Sequence, residues 1–138
     1  MTATLMPRSR HRRAQNSAIY VPPGWPERVR PPGAPDWEST AVAFLLDCCP
    51  ADYRAYPVLR RHPVVLARFA AEFVESQLRG SDDALGDVRS SLAGLVDPEV
   101  VASAVDACHE QRAALVRLRR SVALVEEALR GKVFIRRL

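Results

Sequence analysis

The chain has 138 residues, 48% hydrophobic and 26% charged, with a net charge of +4. That is enough for one domain with a modest core and too little for two. The charge is uneven: residues 1–35 hold six arginines against one acid, Glu27, whereas residues 36–138 hold fourteen Lys/Arg against fifteen Asp/Glu.

No stretch approaches the roughly 20 apolar residues of a spanning helix. The longest apolar run is Ala41–Leu46. Arg12 and Arg13 are followed by polar AQNSA rather than by the apolar region of a secretory signal. A soluble, cytoplasmic protein is therefore expected. Arginine outnumbers lysine nineteen to one, a usage that points to a GC-rich bacterial coding sequence.

Residues 1–35 read as a disordered, basic, proline-rich tail. MPRSRHRR is charged and has no apolar period, and VPPGWPERVRPPGAP has too many prolines for a helix. Polyproline II is its expected local form. It can act as a spacer, or lie on the body through Tyr20, Val21 and Trp25.

A short, buried first helix is expected over about 36–49. Asp36 is placed to cap it, Glu38 suits its positive end, and Pro50 stops it. The next stretch, DYRAYPVLRRHP, reads as a connector punctuated by Pro50, Pro57 and Pro63. Tyr56 and His62 each precede a proline and are pushed out of helical geometry. Tyr53 and Tyr56 are expected to pack over the near end of the two long helices beyond it.

The second helix is expected over 63–95, because Leu66, Ala70, Phe73, Gln77/Leu78, Ser81, Leu85, Val88, Leu92 and Leu95 keep a three-four spacing. Gly80 in RGSDD could close one helix and open another at Ser81 or Asp82, but the kept phase favours a continuous or slightly kinked helix. Asp97 and Pro98 then open a third helix over 98–130, which Gly131 closes. Its heptad seam is Val101, Cys108, Leu115, Val122 and Leu129, with Ala104, Gln111, Leu118 and Val125 between. KVFIRRL follows, expected to be extended, with Val133, Phe134 and Ile135 on the body.

The expected fold is thus all-α. A long, coiled-coil-like antiparallel helical hairpin carries the short helix on one side, behind the tail. With a turn near 96–97, facing residue numbers sum to roughly 193. Arg68 then meets Glu126, Asp82 and Asp83 meet Arg112, and Glu72 and Glu75 meet Arg117, Arg119 and Arg120. Val100, Val105, Val116 and Leu124 lie outside the seam and need a cover. The first helix or a second copy, giving a homodimer through the hairpin, could supply it.

For function, the chain has no phosphate loop, nucleophile elbow or zinc-protease pair. Three cysteines, Cys48, Cys49 and Cys108, read as reduced apolar fillers. A zinc site from these and His109 would need the first helix to lie far along the hairpin, so no metal and no cofactor are expected. His11, His62 and His109 have no partner at catalytic spacing. Gln77, Ser81 and Gln111 fall at one height and suggest a buried polar layer.

The expectation is a non-catalytic interaction or scaffold protein. Its contact surface is a basic open end made by Arg54, Arg60, Arg61, Arg130, Lys132, Arg136 and Arg137, joined by tail residues Arg8, Arg10, Arg12 and Arg13. An acidic protein is the expected partner. A nucleic-acid-binding accessory protein is the alternative, disfavoured because no continuous basic face or known motif is present. A small helical-bundle enzyme ranks below both.

Overall fold

The computed structural model describes residues 19–137. Over these residues the protein is all-helical. Helix α1 spans Trp37–Cys48, a 3-10 turn spans Ala51–Ala55, α2 spans Pro57–Arg61, α3 spans Pro63–Leu92, and α4 spans Pro98–Leu129. Helices α3 and α4 form the antiparallel hairpin, and α1 packs onto it.

Helix α3 runs unbroken through Gly80 for 30 residues, and α4 has 32. At 1.5 Å per residue each is about 45–48 Å long. The pairing register matches the expectation within one residue. Arg68 lies 3.5 Å from Glu126, Arg119 lies 3.6 Å from Glu75, and Arg112 pairs with Asp82. The residue numbers of each pair sum to 194. All are solvent-facing at one partner or both, so each contributes only about 0–1 kcal/mol. They select a register that apolar burial stabilises.

The helices differ from expectation in two places. Helix α3 stops at Leu92 instead of Leu95, because Gly94 takes a φ of 77° that a continuing helix excludes. Leu95 leaves the seam and is 75% exposed. The connector contains more helix than its prolines suggest: Pro57 occupies the first turn of α2, where a missing N–H costs nothing. Tyr56 (ψ 107°) and His62 (ψ 88°) do sit outside helical geometry. Asp36 and Asp97 precede α1 and α4 without bonding their backbones through the side chain. Asp36 faces Arg30 at 3.5 Å instead.

The core lies at the open end of the hairpin. Helix α1 contributes Ala41, Phe44, Leu45 and Leu46, α2 contributes Leu59, and α3 contributes Leu66, Ala67, Ala70, Val74 and Leu78. Leu115, Val122 and Val125 of α4 complete it. Ala41, Ala67 and Ala70 have no exposed surface, so the helices that carry them can approach closely. Tyr53 rests edge-on against Phe69 and Phe73, at 6.0 and 6.4 Å, which pins the connector to one face of α3.

Residues 19–35, grouped with the tail by composition, pack on the body, Gly24 against α4 and Arg28 and Arg30 against α1. Val29 is buried in the core, and the Trp25 indole donates to the Val29 carbonyl at 2.9 Å. Trp25 also meets Phe134 edge-on at 5.9 Å. The Ser121 hydroxyl donates to the Gly24 carbonyl at 2.7 Å. A Cβ on Gly24 would come within 2.9 Å of the Arg120 side chain, and its φ of 97° favours glycine independently. Beside this segment, Leu124 is buried and Val116 half-buried. Val105 is buried as well, whereas Val100 stays exposed.

The C-terminal strip departs from expectation. Helix α4 closes with Lys132 N–H donating to the Glu127 carbonyl and Gly131 N–H to that of Ala128, a Schellman pair. Beyond it only Phe134 is half-buried; Val133 and Ile135 are exposed.

The packing sets two stability outcomes. Leu66→Ala removes a fully buried side chain where α1 and α3 meet and should cost about 2–5 kcal/mol in chemical denaturation. Trp25→Ala should cost about 2 kcal/mol, since it deletes packing and one hydrogen bond in a half-buried site. An unchanged denaturation midpoint for Trp25→Ala would mean that the 19–35 segment contributes nothing to the fold.

Candidate functional site

The residues named from sequence as a basic end fall into two groups. The first is ion-paired within the chain. Arg54 bonds Asp47 at 2.6 Å, and Arg28 reaches the other oxygen of the same carboxylate at 3.0 Å. The two guanidiniums, Arg54 foremost, hold Asp47 below the usual carboxylate range. Arg130 lies 3.6 Å from Glu126, which also faces Arg68. Lys132 bonds Glu127 at 3.1 Å and sits 5.6 Å from the Phe134 ring.

Glu126 is the most enclosed of these acids, with its side chain only 12% exposed. Its Oε2 accepts no hydrogen bond among the described residues. Flanking positive charge from Arg68 and Arg130, both near 3.5 Å, accounts for it as an ionic contact at the helix end.

The second group remains available. Arg60 and Arg61 close α2 side by side and are exposed, with no acidic partner in ion-pair range among the described residues. Arg136 covers the Tyr20 ring at 5.4 Å, which leaves its charge accessible. Arg137 lines a shallow depression with Arg120 and Lys132, where Glu127 offsets part of the charge. Tail residues Arg8, Arg10, Arg12 and Arg13, and with them His11, lie outside the described residues.

The cysteines do not gather. Cys48 and Cys49 pack against the core, and burial pushes their thiols up to about 12 and about 11. Cys108 lies on α4, away from them, in the wall of a groove. Among the described residues no three His, Cys, Asp or Glu side chains stand close enough to hold a metal ion. No described helix is long and apolar enough to cross a membrane.

That groove is the feature the sequence did not announce. It is open, holds about 520 Å³, and runs between α3 and α4 beyond the end of the core. Phe73, Ala84, Ala107, Cys108 and Leu115 form its apolar walls, and Gly80 opens its floor. Gln77, Ser81 and Gln111 are here too, at one height as expected. They do not form a buried layer: Gln77 and Gln111 are exposed and Ser81 is half-buried. The reason is coverage. Between residues 79 and 114 only Val105 is buried, because this part of the hairpin is an arm of two helices with no third layer. A sequence signal for it existed in the run of small residues Ser76, Gly80 and Ala84 at four-residue spacing.

The groove's own lining carries no charged side chain, and the acids of the arm lie outside it. Asp83 and Asp87 stand three and seven residues beyond Gly80 on α3, and Glu110 three beyond Ala107 on α4. All three are exposed and have no ion-pair partner among the described residues. The arm from 79 to 112 carries Asp82, Asp83, Asp87, Asp97, Glu99, Asp106 and Glu110 against Arg79, Arg89 and Arg112. One end of the hairpin is therefore basic and the other acidic.

Compared with models of known protein families, with curated proteins and with solved structures, the chain matches none.

Proposed function

We propose that this protein is a non-catalytic interaction module that binds an acidic protein surface at the open end of the hairpin. The observation that carries the reading is the pair Arg60 and Arg61. They are exposed and adjacent, and no acid lies in ion-pair range among the described residues, while Arg54, Arg130 and Lys132, expected from sequence at the same end, each pair with a carboxylate. Arg60 and Arg61 thus put two unpaired cations next to each other on one short helix. The exposed apolar side chains of Tyr56 and Val58 lie next to it in sequence, on the same connector. An apolar contact ringed by arginine is a composition that suits protein interfaces.

The paired cations favour this reading over nucleic-acid binding. Phosphate recognition draws affinity from many free positive charges, and the chain's own carboxylates already occupy three of those proposed from sequence.

The test uses the full chain and a fluorescent polyglutamate peptide as the acidic probe. Binding should weaken about tenfold, or ~1.4 kcal/mol, in the Arg60→Glu/Arg61→Glu variant, with unchanged helicity by circular dichroism. Equal affinity of the variant and the parent would place the contact surface elsewhere. A duplex oligonucleotide measured at two salt concentrations is the control. Tighter binding to duplex than to peptide, falling steeply with salt, would replace this reading with the nucleic-acid one.

A further inference from the structure

The groove lies between two sets of exposed apolar side chains. Phe69 and Tyr56 stand at the body, and Leu95 and Val96 at the tip. Phe69, Phe73, Ser76, Gly80 and Ala84 follow one stripe of α3 at three-four spacing. Phe69 and Leu95 are each thirteen residues from position 82, the middle of the groove on α3. The stripe therefore reads the same from either end: apolar, small, small, apolar. A surface that pairs with itself across a two-fold axis has to be its own complement.

We infer that a second copy of this chain packs antiparallel on this face, with the two-fold axis crossing α3 at position 82. Leu95 of each copy then seats on Phe69 of the other, and Gly80 meets Ala84. A Cβ on Gly80 would touch nothing within 4 Å, so the two α3 helices have room to approach closely there. The residues expected from sequence to need a second copy lie elsewhere. Val105 and Leu124 are already buried within the chain and Val116 is half-buried.

Charge fixes the direction. Arg79, Asp83 and Asp87 repeat every four residues on the stripe beside Gly80 and Ala84, and Asp106, Glu110 and Arg117 form the matching stripe beside Ala107. These six flank the groove rather than line it. All six are exposed, and none is in ion-pair range of an opposite charge among the described residues. Asp82 pairs with Arg112, so the axis at 82 passes α4 at 112. Arg79 then falls midway between Asp83 and Asp87 of the other copy, and Arg117 between Asp106 and Glu110. Each offset along the axis is under about 5 Å at 1.5 Å per residue, and helices pack about 8–10 Å apart, a gap that an arginine spans.

The size suffices. From Phe69 to Leu95 the face is about 40 Å long and two helices, or about 20 Å, wide. That is roughly 800 Å² per copy, the size of a standard stable interface. The open ends point in opposite directions, roughly 55–60 Å apart. With an acidic-partner site at each, the dimer is bivalent. That consequence alone rests on the proposed function; the dimer does not.

The experiment is sedimentation velocity of the full chain over a concentration series. The parent should dimerise. Ala84→Glu puts a carboxylate where the α3 helices meet, at an exposed position, and should weaken the dimer at least about tenfold. Two charge-reversed chains make the sharper test. R79E/R117E and D83R/D87R/D106R/E110R should each be monomeric, and their mixture should form a heterodimer. Circular dichroism checks the helices of every variant. Direction is read by a short bismaleimide: F69C mixed with L95C should give a 69–95 cross-link, whereas neither alone should link to itself through the new thiol.

A parent still monomeric at about 1 mM, a dimer indifferent to Ala84→Glu, or reversed chains that fail to pair would overturn the inference. So would a dimer without the 69–95 cross-link. Dimerisation is read by sedimentation and peptide binding by fluorescence, so failure of this dimer and failure of the Arg60–Arg61 surface show separately.

Discussion

Everything in this chain depends on the apolar seam between α3 and α4, and on how far along it a third element lies. A pair of helices about 45 Å long buries one stripe from each. That stripe alone does not exclude water from both sides. Where α1 and the 19–35 segment add their side chains, Leu66, Val74, Val122 and Val125 are nearly or fully buried. Where they stop, the same heptad pattern continues but yields half-buried positions such as Leu85, Val88 and Cys108. One seam thus produces a body and an arm, and the boundary between them is the last residue that a third layer covers.

Charge follows the same division. Cations concentrate at the body, where acids such as Asp47, Glu126 and Glu127 answer most of them, and anions concentrate on the arm. The ion pairs that bridge α3 and α4 sit at intervals along the hairpin and tie the two helices in one register. Charges without an ion pair among the described residues remain at both ends, Arg60, Arg61 and Arg136 among them at one and Asp83, Asp87 and Glu110 at the other.

The hairpin was legible in the sequence because its signals are periodic and local. Asp97-Pro98 opens a helix, Gly131 ends one, and heptad spacing links Val101 to Leu129. Register was readable because opposite charges recur at matching heights. Three things were not readable. Gly94 stands where the three-four spacing runs on to Leu95, so only the backbone shows that its left-handed φ prevails over the seam. Trp25 and Val29 lie among prolines, which advertise extended chain without saying whether it packs. Gln77, Ser81 and Gln111 share a height, as pattern predicts, but burial depends on whether a neighbour covers that height. The pairing of Arg54, Arg130 and Lys132 with Asp47, Glu126 and Glu127 was not legible, since it depends on side-chain geometry.

The uneven cover along the hairpin has a dynamic consequence. Local opening free energy scales with the apolar contacts broken, and in one molecule it ranges from near zero to the full unfolding value. The body has most of those contacts and the arm has few. Backbone amides around Leu85–Leu92 and Val101–Cys108 should therefore exchange with solvent through partial fraying of the arm, while amides near Leu66 and Val125 wait for complete unfolding. The hairpin is continuous in its hydrogen bonds but graded in its cooperativity, so the arm can loosen or tighten on its own while the open end stays intact.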